Sequence, residues 1–579
     1  MISIFYWKKI HKYLIKECYY AKIIIVFLIF KSQKYMFKRI LILLVAILIA
    51  QDIVAQELTP TDFLPKEFHK NRRDALRKKM PQNSVAIFVA NPLRNRANDV
   101  DYVYHQDPNF YYLTGYREPD AVLLIFSEDQ TTDESSYNEL IYVQKKDKNA
   151  EMWTGKRLGV VGTKEKLGFV NAYNGEEFND VAINFKNFDK VLLFDFKDDY
   201  RNSSRNNADV FDLVEQLKQK TGYSKELIPN PTKDNLYKKI KATEIENSAN
   251  VAQNLGRYLE YYPDLKKDEL LVGYQQATSN ELRKEFKQKI SLKLDATPKT
   301  NIDVRALGQL MGSLRETKLP EELKLLKKAV EISAVGQIEI MKAMHPNMSE
   351  TEIQGVHEFV YKKYGAEYEG YPSIVGGGGN GCILHYIENN KTKVGNDLVL
   401  MDLGAEYRGY TADVTRTIPA NGKFSPEQRL IYDIVYDAQE AGIAESKVGN
   451  SFFSTHTAAQ NVINKGLVKL GIIKTEDEKH SYFPHGTSHH IGLDVHDASA
   501  SRNFSENMVI TVEPGIYIPE GSPCDEKWWG IAVRIEDDIL ITKDGPVNLS
   551  ADAPRKSEEI EKLMLQKSIL NDFQLPKLD

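Results

Sequence analysis

Cysteine is nearly missing from this 579-residue chain: only Cys18, Cys382 and Cys524 occur. So few thiols cannot build a disulfide framework for a chain of this length, so stability rests on packed cores. No C-x-x-C or Cys/His spacing accompanies them, which excludes a thiolate zinc site. Long apolar runs are also lacking. Ile23 to Phe30 and Ile40 to Ala50 both fall short of the roughly 20 residues a membrane-spanning helix needs, so no stable membrane association is expected. Nor is there an excess of one charge. With 76 basic and 81 acidic side chains the net charge is -5, and nothing in that balance calls for nucleic acid or an anionic membrane as partner. There is no clear internal repeat and no low-complexity tract beyond Gly376 to Gly379.

What is present is ordinary globular material, 42% hydrophobic and 27% charged. The length suggests about two to four domains, since single cores stop growing near 250 to 300 residues. Residues 1–55 stand apart. Lys38 and Arg39, the apolar run Ile40 to Ala50 and the closing Ile53-Val54-Ala55 follow the basic, apolar, small order of a secretory signal peptide. The expected start is therefore Met36 and the expected mature terminus Gln56, in the periplasm; an uncleaved inner-membrane anchor is the alternative.

From 56 to 205, β-rich runs such as Ser84 to Ala90 and Ala121 to Phe126 alternate with charged helical stretches, which reads as a mixed α/β domain. Residues 206–305 turn Lys- and Glu-rich, including Asp268 to Leu294, and read as a solvated helical insertion or linker. The amphipathic stretch Pro320 to Met344 opens a last domain, 306–570. There, strand-like runs Asp397 to Leu403, Met508 to Val512 and Ile531 to Ile541 alternate with helical runs Pro426 to Ala441 and Ser454 to Leu470. Both domains are of α/β (α+β) type.

Chemistry concentrates in that last domain. Histidine is rare, 12 in all, yet four fall between His485 and His496, amid glycines and aspartates. Acids also end apolar runs: Asp402 after Leu398-Val-Leu-Met401, Glu513 after Val509-Ile-Thr-Val512, Glu536 after Ile531-Ala-Val-Arg-Ile535. Pairing with Lys or Arg at a strand end would account for any one of them. Three such acids, with Asp413 eleven residues beyond Asp402, favour a shared cation, because converging buried carboxylates repel unless one neutralises them. Four carboxylates with one imidazole and no thiolate match two divalent ions, with Mn²⁺ first and Zn²⁺, Co²⁺ or Fe²⁺ as alternatives. Such a pair, about 3.5 to 4 Å apart, serves hydrolysis more readily than redox chemistry.

Five segments carry a resemblance: Asp402-Leu-Gly-Ala, Tyr410-Thr-Ala-Asp413-Val-Thr-Arg-Thr, His485-Gly-Thr-Ser-His489, Thr511-Val-Glu513-Pro-Gly-Ile-Tyr517 and Val533-Arg-Ile-Glu536-Asp-Asp. In order and spacing they resemble the ligand motifs of the pita-bread metallopeptidases, and a five-part match is far more specific than any short motif. Ile374 to Tyr386 and Gly492-Leu-Asp-Val-His496-Asp are most similar to the aminopeptidase P branch, as Phe110 to Tyr116, Glu118-Pro119 and Trp153 to Gly159 are to its creatinase-like N-terminal domain.

The resemblance implies a creatinase-like α/β domain followed by a pita-bread catalytic domain, in a homo-oligomer, dimer or tetramer. It implies that Asp402 chelates one ion, that Asp413 and Glu536 bridge two, and that His489 and Glu513 complete the second. Glu513 doubles as general base, and His385, His485 and His496 hold substrate and stabilise the oxyanion. Arg534, two residues before Glu536 on a strand, is expected to share its face and either to fix a bridging carboxylate or to cap the site electrostatically; Tyr517 is a weaker candidate. Asn109 stands where the resemblance leads one to expect an acid for the substrate's α-amine.

The expected activity is release of the N-terminal residue from peptides with proline second. Prolidase action on Xaa-Pro dipeptides alone is the runner-up, and an inactive peptide-binding module is the third reading. A bond to proline has no N–H, so the site must accept the ring instead; Tyr386 and Trp528 or Trp529 are candidates for an apolar shelf, with ordinary packing as the alternative.

Overall fold

The computed structural model describes residues 60–572, apart from 132–135, 198, 203–207, 226–227, 229 and 297–299. The expected signal peptide lies outside the described residues.

The chain enters through α1 (Lys66–Lys79) and then β1 (Ser84–Val89). Helix α2 (Pro108–Thr114) starts where its sequence says it should. Asp107 caps it by accepting from Phe110 N, Pro108 fills the first turn, and Gly115 closes it at φ 71°. Strands β2 (Val122–Thr131), β3 (Ser136–Val143), β4 (Ala172–Asn174), β5 (Lys190–Leu193) and β6 (Ile302–Asp303) join β1 in a six-stranded sheet of order β4-β3-β2-β1-β5-β6. It is mixed: β1 runs antiparallel to β2 and parallel to β5. Alternate side chains of β1 face opposite ways, so Ala86 and Phe88 join the core under α1 and α2, while Val85 and Ile87 join the other core.

That second core corrects the expected domain limits. Helix α3 (Val210–Thr221) lies beyond 205, yet Val210, Leu213, Val214 and Leu217 form an apolar stripe buried against the sheet. Strand β6, the sheet's sixth member, is reached only at Ile302. Helices α4 (Pro231–Ala242), α5 (Ser248–Tyr261), α6 (Glu269–Gln276) and α7 (Asn280–Ala296) therefore form an insertion within the N-terminal domain, not a linker after it. They have their own core, including Tyr237, Leu255, Leu271 and Ile290.

The catalytic domain begins with α8 (Ala306–Arg315), α9 (Pro320–Ala343) and α10 (Glu350–Tyr364). Its short strands are β7 (Tyr368–Glu369), β8 (Ile374–Gly377), β9 (Leu398–Asp402), β10 (Ala405–Tyr407), β11 (Tyr410–Thr411) and β12 (Thr415–Pro419). Helices α11 (Pro426–Glu445) and α12 (Ser454–Lys469) follow, then β13 (Val509–Val512), β14 (Gly515–Ile518), β15 (Ile531–Arg534), β16 (Asp537–Thr542) and β17 (Gly545–Asn548). These make small antiparallel sheets, β8-β9-β12, β11-β10-β7, β13-β16-β17 and β14-β15. Helix residues such as Ile340, Ile353, Tyr432, Val435 and Ile463 pack on strand residues Val399, Met401, Ile418 and Val533, giving the pita-bread arrangement of sheets backed by helices. The run Ile531 to Ile541 is not one strand: β15 pairs with β14, β16 pairs with β13, and Glu536 sits in the break.

Candidate metal centre

Strand ends bring the acids together. Asp402 closes β9 and lies opposite Ile374 of β8 and Thr415 of β12. Asp413 stands between β11 and β12, Glu513 directly after β13, and Glu536 between β15 and β16 with its N–H on Thr415 O at 3.1 Å. The His485–His489 loop runs alongside β13, where Thr511 N donates to His489 O at 2.9 Å and Glu513 N to Thr487 O at 2.8 Å. Two buried glutamines fix this framework from the helix layer. Gln337 of α9 donates to Met401 O and Val414 O, beside the two aspartates, at 3.1 and 2.8 Å. Gln439 of α11 donates to Val512 O at 3.1 Å and Asp537 Oδ2 at 2.9 Å, beside the two glutamates.

Asp402, Asp413, His489, Glu513 and Glu536 all line one cavity of about 590 Å³, together with His385, His485, His496 and Arg534. His489 Nδ1 lies 3.1 Å from His490 O, and a carbonyl only accepts, so Nδ1 carries the proton. Its Nε2 lone pair then faces Asp413, Glu513 and Glu536 oxygens at 3.5, 3.6 and 3.9 Å. Acceptors facing acceptors repel, and a cation between them removes the repulsion. Donor atoms of Asp413, His489 and Glu536 lie within 4.8 Å of one another, while buried Glu536 Oε1 has no hydrogen-bond partner. This donor set fits a divalent cation.

The carboxylates report the same deficit of positive charge. Burial, with neighbouring acids adding to it, pushes Asp413 and Glu536 well above the usual range. Glu513 is pushed up to about 7, chiefly by burial. Asp402 goes the other way: burial acts upward on it, but the Arg534 charge and hydrogen bonds from Tyr371 and Arg534 hold it below the usual value.

The surrounding groups form a connected chain. Arg534 donates through Nη2 to Asp402 Oδ2 at 2.6 Å and through Nη1 to the Tyr517 hydroxyl at 2.8 Å, and that hydroxyl lies 2.8 Å from His485 Nε2. Arg534 thus serves Asp402 and not Glu536, because the strand breaks between Arg534 and Glu536. Burial and then the Arg534 charge lower His485 to about 4. The His496 ring stands edge-on to His489 with centroids 4.5 Å apart, and burial lowers its pKa. His385 is exposed at the cavity wall.

Sequence reasoning missed Tyr371, whose hydroxyl lies 2.6 Å from Asp402 Oδ1 and 2.5 Å from Asp413 Oδ1. A single tyrosine in a loop carries no periodic signal. It also missed Thr415, which donates to Glu536 Oε2 at 2.6 Å, and the use of Asp538, whose Oδ2 accepts from Asp413 N at 3.0 Å. Two consecutive acids, Asp537 and Asp538, in a buried strand were a visible clue.

The expected aromatic shelf is wrong. Tyr386 is buried, with its hydroxyl spent on Glu350 at 2.9 Å; Trp528 belongs to the helix-backed core, and Trp529 lines a separate depression near Lys391. The apolar wall of the cavity is instead Pro372, Ile374, Leu384, Ile387 and Val495. Asn109 lies in an adjoining cleft, where its Oδ1 accepts from Arg315 Nη1 at 2.7 Å.

Residues 324–543 match the model of metallopeptidase family M24, and residues 69–192 match that of the aminopeptidase P N-terminal domain. The Xaa-Pro aminopeptidase of Escherichia coli (strain K12) is 35% identical over 86% of this chain and 97% of its own length. That of Haemophilus influenzae is 32% identical over the same 86% and 97%. A solved structure of a variant E. coli aminopeptidase P in complex with substrate superimposes with a TM-score of 0.66 at 32% identity, covering 87% of this chain and 99% of that one. A zinc-substituted form of the same enzyme with product gives the same TM-score of 0.66 at 33% identity.

Proposed function

Since the chain belongs to metallopeptidase family M24, of the kind that carries the aminopeptidase P N-terminal domain, we propose that it is an Xaa-Pro aminopeptidase releasing the N-terminal residue from peptides with proline second. The observation that carries this reading is the convergence of Asp402, Asp413, His489, Glu513 and Glu536 on one cavity with too little positive charge of their own. Asp402 would hold one ion, His489 and Glu513 the other, and Asp413 and Glu536 both. When bound, a pair of divalent ions supplies Lewis acidity to the scissile carbonyl and to the attacking water. An oxygen-rich set with one imidazole suits Mn²⁺ first, with Zn²⁺, Co²⁺ and Fe²⁺ as alternatives.

The protein's own groups supply the rest. Glu513, whose carboxylate faces the cavity beside His489, takes the proton of the attacking water and delivers it to the proline nitrogen as the C–N bond breaks. That nitrogen is a tertiary amide without N–H, so proton delivery is what makes it a leaving group. His496, its pKa lowered by burial, stands with His385 at the cavity as hydrogen-bond donor to the developing oxyanion, while a neutral His485 donates its Nδ1–H to Gly486 O at 2.7 Å and so serves to shape the substrate site instead of donating to the oxyanion. Arg534 fixes Asp402 and, through Tyr517, orients His485. Pro372, Ile374, Leu384, Ile387 and Val495 offer the proline ring an apolar wall.

A length series tests the activity. Purified protein loaded with Mn²⁺ is expected to cleave Xaa-Pro-Yaa tripeptides and longer peptides at the first bond. Cleavage of Xaa-Pro dipeptides alone makes it a prolidase, and no cleavage with both ions bound makes it a peptide-binding module.

We further propose export, on the Lys38-Arg39, Ile40 to Ala50 and Ala55 pattern. No helix among the described residues is long and apolar enough to cross a membrane. N-terminal sequencing of natively expressed periplasmic protein is expected to begin near Gln56. A homo-oligomer is proposed as well, supported by Met152 and Trp153, adjacent on one helix and 76% and 85% exposed; light scattering tests it.

A further inference from the structure

An aminopeptidase substrate carries a free α-ammonium one carbon from the carbonyl under attack, so a cation must lie beside the metal-holding cavity. A cleft of about 1000 Å³ adjoins that cavity and shares Tyr371, Pro372, Ile387 and His496 with it. Five carboxylates line the cleft: Asp107, Glu358, Glu369, Glu406 and Asp494. A fixed ammonium needs one that is not already committed.

Three are spent. Asp107 accepts from Phe110 N at 2.9 Å as the cap of α2, Glu358 accepts from Gln354 Nε2 at 2.7 Å, and Glu406 is held by His105 Nε2 at 2.8 and 3.0 Å. Asn109 does not substitute for an acid. Arg315 has only donors, so it fixes the amide oxygen of Asn109 towards itself and leaves the NH₂, a donor, as the free end. Among the described residues no hydrogen bond or ion pair reaches the carboxylates of Asp494 and Glu369.

Of these two, Asp494 is the better placed. It is exposed and lies two residues before His496, one of the four residues common to cleft and cavity. Its negative charge is felt by His496, Arg315 and His105. Arg315 Nη1 and Nη2 are engaged with Asn109 and Asp497, and His105 with Glu406. The loop is rigid: Thr411 N donates to Gly492 O at 2.7 Å, Gly492 N to Asp494 O at 3.1 Å and Asp497 N to His490 O at 2.9 Å. Below it the Asp497 carboxylate is buried between Arg315 and Lys318. An acceptor so presented is pre-organised. Glu369 is half-buried on the two-residue strand β7.

We propose that Asp494 binds the substrate's α-ammonium, the contact Asn109 cannot make; this rests on the aminopeptidase reading above. The test compares an Xaa-Pro-Yaa tripeptide with its desamino analogue, measuring KM for the first and Ki for the second, in metal-loaded wild type, Asp494→Asn and Glu369→Gln. In Asp494→Asn the tripeptide KM is expected to rise about 10- to 100-fold, the scale of a lost charged hydrogen bond. The desamino Ki and the metal content are expected to stay within about twofold of wild type, as binding that does not involve the amine is left intact. An unchanged KM overturns the assignment, and so does a parallel rise of KM and Ki, or a selective loss in Glu369→Gln in place of Asp494→Asn. A wild type inert towards the tripeptide overturns the aminopeptidase reading itself, and this one with it.

Discussion

Arg534 donates to Asp402 across 2.6 Å, and its second donor nitrogen reaches Tyr517. One planar guanidinium therefore couples a cavity-lining carboxylate to the hydroxyl that orients His485. Lysine has the charge but not the fork, and it cannot make both contacts in this geometry. In Arg534→Lys, kcat/KM is expected to fall about 10- to 100-fold, the usual cost of losing a group that orients a ligand. Metal content by mass spectrometry should stay near wild type; unaltered kinetics would show that the fork has no role.

Tyr371 sits between Asp402 and Asp413, and no other hydroxyl among the described residues touches both. Loss of that hydroxyl in Tyr371→Phe leaves the ring in place and frees the Asp413 carboxylate to turn, while Arg534 still holds Asp402. Metal affinity is expected to weaken by about 10- to 100-fold at constant fold, read by titration with a competing chelator. Affinity within twofold of wild type would assign Tyr371 to packing alone.

Asp413→Asn and His496→Ala should separate holding the ions from using them. The first removes a charge proposed to serve both ions, and activity and metal content are expected to fall together, activity by on the order of 10³-fold or more. The second should keep its metal while kcat drops about 10²- to 10³-fold, the scale of losing one oxyanion donor. Metal loss in His496→Ala would mean that the wrong histidine has been placed among the ligands.

The His105 and Glu406 pair joins the N-terminal domain to the catalytic one. The hydrogen bond to Glu406 raises the His105 pKa above its ordinary value, its charge adds to this, and burial opposes it. A folded pKa above the unfolded one, about 6.5, means stabilisation that is complete at pH below that value and is lost as pH rises through the folded pKa. The side chain is 44% exposed, so the effect is expected to be no more than about 1 kcal/mol. Urea midpoints of wild type and His105→Gln should differ most below the unfolded value of about 6.5 and converge as pH rises through the folded pKa, as the imidazolium that makes the difference titrates away; a gap that widens with pH would reverse the sign argued here.

The acids that line the cavity were legible because each but Asp413 ends an apolar run, a pattern that survives without any knowledge of partners. Arg534 was legible as a site residue but not in its partner, since Ile531 to Ile541 reads as one continuous strand and hides a change of sheet at Glu536. Tyr371, Gln337 and Gln439 were illegible: each acts through a single side chain brought in from far along the sequence, and nothing in the local composition marks it. The proline shelf failed for a related reason. Large aromatics near the motifs were the obvious choice, but Tyr386 and Trp528 are consumed by the core, and smaller aliphatics face the cavity. At the other end, the shift to Lys- and Glu-rich sequence near 205 masked α3, whose four apolar positions are enough to fasten it to the sheet.

The late arrival of β6 has a kinetic consequence. Roughly a hundred residues separate it from β5, its partner in the sheet, and pairing across such a distance is slow because loop closure must be met before any contact rewards it. The intervening α4 to α7 bury their own apolar residues in a core that is local in sequence, so their early condensation is expected to draw residues 191 and 302 towards each other. The insertion then acts as a folding clamp: until it has formed, β5 presents an open edge to any neighbouring chain, and lesions in Leu255 or Tyr274 would surface as aggregation during refolding while the finished catalytic domain stays sound.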